Sequence, residues 1–330
     1  VSAKFDIVVY GATGYTGQLV AEYLAASYAG EGAPTWAMAG RSRDKLASVR
    51  DAIGAPADTP LIVADAADPA SLRAMVDQAK LVVTTVGPYQ LYGSDLLAAC
   101  VADGTDYMDL CGEPIWLKQM IDRHDAVAKA SGARIMFSCG FDSIPFELGA
   151  FFVQEEARRV FGAPVPRVKG RVRDLSWKFS GGTSASARVT FEAVAQDLSL
   201  VSILKDPFAF TPGFEGPKQP RGNKPVFEED LQSWSAPFAM ATLNTRNVHR
   251  SNMLMGFPYG RDFVYDEMVL TGRGTKGRPT QSSSWPPIAK RPAPKRSSPA
   301  RGRRRKSAIT VITTCSMSRS RPTAVRFARR

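Results

Sequence analysis

The chain has only 4 cysteines and 2 histidines in 330 residues, and these shortages exclude several classes of protein. Cys100, Cys111, Cys139 and Cys315 show neither CxxC spacing nor the density of a disulfide scaffold, so free thiols in a reducing cytoplasm are expected. His124 and His249 are the only histidines and have no paired ligand spacing, so no metal site is expected. No apolar run reaches the roughly 18 residues of a membrane-spanning helix. The opening residues Val1-Ser2-Ala3-Lys4-Phe5 lack the apolar core of a signal peptide and lead into a strand pattern. Acids vanish from one stretch: Arg273–Arg330 holds 17 Lys or Arg and no Asp or Glu. Removing those 17 from the 43 basic residues leaves 26 against 31 acids, a net of −5 for residues 1–272. The overall +12 is therefore confined to one segment, and no specific nucleic-acid binding follows from it.

Along the chain, the first 140 residues alternate short apolar runs with amphipathic stretches, the pattern of βαβ units around a parallel sheet. Strands are expected over 5–10, 35–39, 61–64, 81–86, 105–108 and 134–138, and helices over 16–27, 44–53, 68–78, 94–102 and 115–130. The rhythm then changes. A helix is expected over 146–160 and extended chain over 167–179. A break follows at Gly181-Gly182-Thr183, then a helix over 184–204. A Pro- and Gly-rich surface loop over 205–235 precedes strands at 237–241 and 263–271. This gives an α/β domain over 1–140, an α+β substrate or dimerisation domain over 141–272, incomplete at its end, and a basic low-complexity tail over 273–330. The tail has two readings, a solvated disordered segment or the product of a reading frame that slips near 274–284. One short apolar patch, 308–313, interrupts it.

Gly11-Ala12-Thr13-Gly14-Tyr15-Thr16-Gly17 lies directly between the first strand and the first helix. Gly11 suits a tight turn, Gly14 a close approach of backbone to a pyrophosphate, and Gly17 close helix–strand packing. The helix N-terminus beyond them favours an anion. A bare glycine turn would explain the triplet alone; the strand before it and the helix after it favour a doubly wound Rossmann domain with a dinucleotide. The second strand ends Ala39-Gly40-Arg41-Ser42-Arg43, with no acid until Asp44. Arg41 and Ser42 suit a 2′-phosphate where an acid would suit a free ribose hydroxyl, so NADP(H) is expected over NAD. Asp65, after the third strand, suits either the adenine amine or a cap on the following helix. Thr85, Val86, Gly87 and Pro88, at the fourth strand's exit, are placed by topology beside the nicotinamide half of the cofactor, though a strand exit alone would also use them.

Several further motifs follow in order: AGRS (39–42), VGPYQLYG (86–93), TDYMDLCGE (105–113), CGFDSIPFELG (139–149), SGGTSAS (180–186) and NTRNVHRSN (244–252). With the glycine loop, they make residues 4–272 resemble the saccharopine dehydrogenase-like oxidoreductases, most nearly the trans-acting enoyl reductase branch. The resemblance implies an NADPH-dependent reductase. Its substrate would be an α,β-unsaturated acyl thioester, presented on the carrier domain of a polyketide synthase during synthesis of cell-envelope lipids. It also implies a longer chain than this one after Gly272, which leaves an inactive truncated copy as an alternative. A cytoplasmic enzyme, a homodimer and peripheral contact with the inner face of the plasma membrane are all compatible with it.

Enoyl reduction needs a hydride donor, a cradle for the enolate oxygen and a proton for Cα. Tyr89, Asp109 and Cys139, which follow the fourth, fifth and sixth strands, are the catalytic candidates. For each, a packing or hydrogen-bonded structural role is the competing reading. Tyr92, Cys111, Glu113, Asp142, Gly181-Gly182-Thr183, His249 and Arg250 are weaker candidates, and His124 is set aside as a helix-surface residue. None of the 9 tyrosines is followed four positions later by Lys, which disfavours short-chain dehydrogenase chemistry. Arg167, Lys169, Arg171 and Arg173 alternate along one expected strand. They suit either the amino-diacid substrate of a saccharopine-type enzyme or a solvated sheet face. A sensor or scaffold that binds NADP(H) without turnover is the non-enzymatic alternative.

Overall fold

The computed structural model describes residues 3–173, 181–273, 308–315 and 323–328. The chain divides into two compact units, Val1–Phe141 with Phe179–Asp206, and Asp142–Lys178 with Pro207–Arg330.

The first unit opens with β1 (Phe5–Tyr10), α1 (Tyr15–Ser27), β2 (Trp36–Gly40), α2 (Arg43–Ala52), β3 (Leu61–Val63) and α3 (Pro69–Val76). It continues with β4 (Ala79–Thr84), α4 (Tyr89–Tyr92), α5 (Ser94–Asp103), β5 (Asp106–Met108), α6 (Pro114–Ser131) and β6 (Ile135–Met136). The strands form one parallel sheet in the order β3-β2-β1-β4-β5-β6. This is the doubly wound Rossmann order, in which the chain reverses its direction of growth beside β1. The near-continuous apolar run of β1 fits a central strand covered on both faces, and Val8 and Val9 are fully buried. Ser42 caps α2 by accepting from the Lys45 N–H, and Asp68 caps α3 by accepting from the Ala70 N–H at 3.0 Å, with Pro69 in the first turn.

The chain then forms α7 (Ile144–Phe161) and β7 (Arg167–Val172) of the second unit. It returns to the first unit with α8 (Gly181–Gln196), a 3-10 turn at Leu198–Leu200 and α9 (Val201–Lys205). The rest of the second unit is β8 (Val226–Glu228), β9 (Ser233–Pro237), α10 (Ala241–Leu254), β10 (Val264–Gly272), β11 (Ala308–Cys315) and β12 (Thr323–Ala328). Its mixed sheet runs β12-β11-β7-β10-β9-β8, with β7 and β10 parallel and the remaining pairs antiparallel.

Several sequence expectations change here. Gly181-Gly182-Thr183 opens α8 rather than breaking the chain, because a first helical turn needs no intrahelical N–H partners and tolerates residues of poor propensity. The 205–235 stretch is not all surface loop: it holds β8 and the start of β9, and Phe208, Ala209, Phe210 and Thr211 are buried. Residue 241 starts α10 instead of ending a strand, and the NTRNVHRSN motif lies on that helix. The patch at 308–313 falls within β11, which pairs with β7. The stretch 174–179, expected as extended, lies outside the described residues.

The cations of β7 are neither solvated nor free. Arg171 is 3% exposed, pairs with Glu228 and lies 3.0 Å from Asp266; Arg167 also pairs with Asp266. Lys169 reaches Glu228 at 3.1 Å and Asp230 at 2.9 Å. The strand's period of two puts the three cations on one face, where buried carboxylates of β8 and β10 neutralise them; Arg173, beyond the strand, is exposed. Arg171 is the fully buried cation of this network, and without it Glu228 and Asp266 each keep one partly exposed partner, Lys169 and Arg167, so Arg171→Met is expected to destabilise the chain by about 3 kcal/mol, the lower end for a broken buried pair. Urea denaturation of both proteins checks this.

Candidate active site

The turn after β1 brings strand and helix into direct backbone contact. Gly11 takes a φ of +87°, and a Cβ at Gly17 would lie 2.1 Å from the Gly11 carbonyl oxygen and 2.9 Å from the Ala12 Cα. Helix α1 thus sits directly on the turn. Ala12 is fully buried and Thr13 half-buried. Gly14 is the N-cap of α1, in extended conformation and without a side-chain cap. Tyr15 is exposed and Thr16 half-buried. The first-turn N–H groups have no partner within the helix, which gives the loop its anion-binding character.

Beside the loop is a cavity of about 300 Å³ lined by Thr13, Arg41, Ser42, Lys45 and Asp65. Two cations and two hydroxyls face a space large enough for a phosphate and part of an adenosine, and this chemistry fits a 2′-phosphate dianion. The Ser42 oxygen accepts from Lys45 N–H at 3.4 Å, which leaves its hydroxyl proton to donate. Asp65 does not cap α3, because Asp68 does; its Oδ1 accepts from Ala67 N–H at 3.0 Å. The two readings left open for Asp65 reduce to a place in the cavity wall. Tyr10 ends β1 nearby, and burial, then the Asp65 charge, pushes its hydroxyl up to about 12. Sequence reasoning missed Lys45. It lies three residues beyond the N-cap, on the first turn of α2, and that spacing from Ser42 was the available signal.

The exit of β4 is tied to the same turn. Thr85 N–H donates to the Tyr10 carbonyl at 2.9 Å and its hydroxyl to the Gly11 carbonyl at 3.3 Å. Val86 N–H donates to the Thr84 hydroxyl at 3.3 Å. Gly87 is exposed, its peptide with Pro88 is cis, and Pro88 is buried as the N-cap of α4.

Of the three residues expected to be catalytic, Tyr89 and Asp109 are buried and Cys139 is half-buried. Tyr89 is 3% exposed; its hydroxyl donates to the Thr84 carbonyl at 3.2 Å and accepts from Leu110 N–H at 3.3 Å. Burial, and then Asp109, raise its pKa well above the usual phenol range. The phenol therefore links the ends of β4 and β5 instead of facing a substrate. Asp109 is 2% exposed and accepts from Cys111 N–H at 3.0 Å, Ser138 N–H at 2.8 Å and Tyr107 hydroxyl at 3.0 Å. Burial pushes it up to about 7 against those hydrogen bonds. The Cys139 thiol points at the Met136 and Phe137 carbonyls, and burial, then Asp109, push it up to about 12, so it is no thiolate nucleophile near neutrality. Cys111 is buried and also held well above the usual thiol range, by burial and then Asp109.

Glu113 is different in kind. It is fully buried, and its carboxylate accepts from Tyr89 N–H at 2.9 Å, Gln90 N–H at 2.8 Å and the Ser186 hydroxyl of α8 at 2.6 Å. Tyr92 is exposed.

The weaker candidates of the second unit have structural partners. The Asp142 carbonyl accepts from Asn244 Nδ2 at 2.9 Å. His249 packs 4.6 Å from Phe208, and burial, then the Arg246 charge, lower it to about 4, so it is neutral. Arg250 donates to the Phe210 carbonyl at 2.9 Å. Among the described residues no group of three His, Cys, Asp or Glu is placed to hold a metal, and no helix is long and apolar enough to cross a membrane.

Residues 7–136 match the model of the saccharopine dehydrogenase NADP-binding domain. A Mycobacterium tuberculosis protein provisionally named a trans-acting enoyl reductase is 42% identical over 278 residues, covering 82% of this chain and 66% of its own. Trans-acting enoyl reductases of Mycobacterium leprae and Mycobacterium bovis are each 39% identical, over 280 and 281 residues, with the same coverage. The chain belongs to the saccharopine dehydrogenase-like oxidoreductases, in the trans-acting enoyl reductase branch. This member spans about two thirds of the length of the curated relatives it matches. Within the saccharopine dehydrogenase-like domain, the cavity at Arg41, Ser42 and Lys45 lies inside the matched residues, as do Tyr89, Asp109 and Glu113.

Asp109 makes the stability of this edge depend on pH. Its carboxyl titrates near 7 when folded and near 3.8 in the unfolded chain, so the folded state holds the extra proton between those values. Stability from this group is full below about 3.8 and falls as pH rises towards about 7. Asp109→Asn, compared with the parent by thermal melts from pH 4 to pH 8, is expected to remove that component of the slope.

Proposed function

We propose that this chain is an NADPH-dependent enoyl reductase acting in trans. Its substrate would be an α,β-unsaturated acyl thioester carried by a polyketide synthase during synthesis of cell-envelope lipids. The observation that carries the cofactor half is the cavity where Arg41 and Lys45 join the hydroxyls of Thr13 and Ser42 beside the glycine loop. The relatives' names support the reaction half. NADPH, when bound, supplies the hydride that reduces Cβ. The protein's own part is to hold the 2′-phosphate between Arg41 and Lys45, to meet the pyrophosphate with first-turn N–H groups of α1, and to offer the backbone of Thr85–Pro88 to the nicotinamide half. Tyr89, Asp109 and Cys139 hold the sheet edge together, and no proton is drawn from them. The saccharopine-type reading loses its cation set, because Arg167, Lys169 and Arg171 are already ion-paired.

NADPH is expected to bind more tightly than NADH. Arg41→Ala and Lys45→Ala should each cost about tenfold in NADPH affinity, about 1.4 kcal/mol, and leave NADH almost unchanged. Quenching of tryptophan fluorescence measures both, and equal losses for the two cofactors would refute the assignment. Consumption of NADPH absorbance with crotonyl thioesters then separates an enzyme from a sensor that binds without turnover.

A further inference from the structure

Helices α8 and α9 have no role in the cofactor reading, yet the chain leaves the second unit after β7 to place them in the first. Among the described residues, a 2.6 Å hydrogen bond from Ser186 to Glu113 ties α8 to this unit. The same carboxylate takes the N–H groups of Tyr89 and Gln90 at the start of α4, the latter through its second oxygen. Because the sheet is parallel, the ends of β4 and β5 lie on one edge. The turn from Gly87 to Gln90 and the turn that brings in Glu113 both leave from it. This is the edge at which doubly wound sheets bind their ligands. Gln90 also has a buried side-chain oxygen, Oε1, with no hydrogen-bond partner.

We propose that Glu113 is a positioning residue: by joining α8 to the Gly87–Gln90 turn through one buried carboxylate, it sets the wall of the site that receives the nicotinamide half of the cofactor. The inference rests on the NADPH reading above. Glu113 touches neither the cofactor nor the substrate. The carboxyl group meets the first two N–H groups of α4, and its two oxygens hold three donors from two separate segments of chain. A glutamine at this place keeps the length but can accept at one oxygen only; its NH₂ group would face a donor. The Gly87–Gln90 turn and α8 would then lose their fixed relation. The cavity proposed for the 2′-phosphate, lined by residues that follow β1, β2 and β3 and by none that follows β4 or β5, would keep its own contacts.

The test uses two ligands of the full chain. NADPH spans the whole site, whereas 2′,5′-ADP carries the adenosine and 2′-phosphate without the nicotinamide. Glu113→Gln is expected to lower NADPH affinity about tenfold and leave 2′,5′-ADP within about twofold, the size of effect that loss of one charged hydrogen bond allows. Ser186→Ala, which removes a single donor and leaves the carboxylate in place, is expected to act in the same direction and more weakly, and it serves if Glu113→Gln does not fold. A merely structural role would lower the melting temperature and weaken both ligands in parallel. Parallel weakening, or no change in either ligand, overturns the proposal. A parent chain that binds neither ligand overturns the NADPH reading as well, and that outcome is distinguishable from the other two.

Discussion

The first unit depends on a contact with no side chain on one side of it. Gly17 lies against the Gly11 carbonyl, closer than any methyl group could come. That approach lets α1 begin where β1 ends, so the helix N-terminus points at the turn instead of away from it. The β4 exit is built onto the same turn, because Thr85 bonds to the Tyr10 and Gly11 carbonyls. The start of α2 completes the arrangement by bringing Arg41, Ser42 and Lys45 to the cavity beside Thr13. The cavity and the exit of β4 are therefore both built on the turn after β1.

The two units bury carboxylates by opposite means. In the first, Asp109 and Glu113 are satisfied by N–H and O–H donors, with no cation among their hydrogen-bond partners. In the second, Glu228 and Asp266 are matched by Arg167, Lys169 and Arg171. Glu267 is an exception there: Asn244 and Tyr265 each donate to it at 2.9 Å, and burial pushes it up to about 8. Uncharged donors fix the direction of each carboxylate through hydrogen bonds alone. Cation–carboxylate pairs tie β7 to β8 and β10 in the second unit.

Legibility in the sequence followed the range of the interactions. The βα rhythm, the glycine turn and the Arg41-Ser42 pair depend on neighbours a few residues apart, and all were readable. Lys45 is equally local, three residues from the Ser42 N-cap on the first turn of α2. Tyr89, Asp109 and Cys139 were correctly placed after their strands, but topology says which edge a residue is on and not whether its side chain faces in or out. The surroundings of Tyr89 and Asp109 come in part from distant chain, such as Leu110, 21 residues from Tyr89, and Ser138, 29 residues from Asp109. The Arg167–Arg171 alternation was visible, whereas its neutralisation by Glu228 and Asp266, 57 and 99 residues on, was not. The helix at Gly181 ran against local propensity, and tertiary packing decides such cases.

The return of α8 and α9 makes the first unit discontinuous, and this bears on the order in which the protein can be made. Glu113 meets two of its donors, Tyr89 and Gln90, within its own stretch of chain, but the third comes from Ser186. A nascent chain on the ribosome therefore exposes the complete parallel sheet well before it can close the unit. The second unit's α7 and β7 emerge in between, with β7 still lacking its later partners β10 and β11. Through that interval the first unit lacks the Ser186 donor to Glu113, and the second lacks both strands that flank β7.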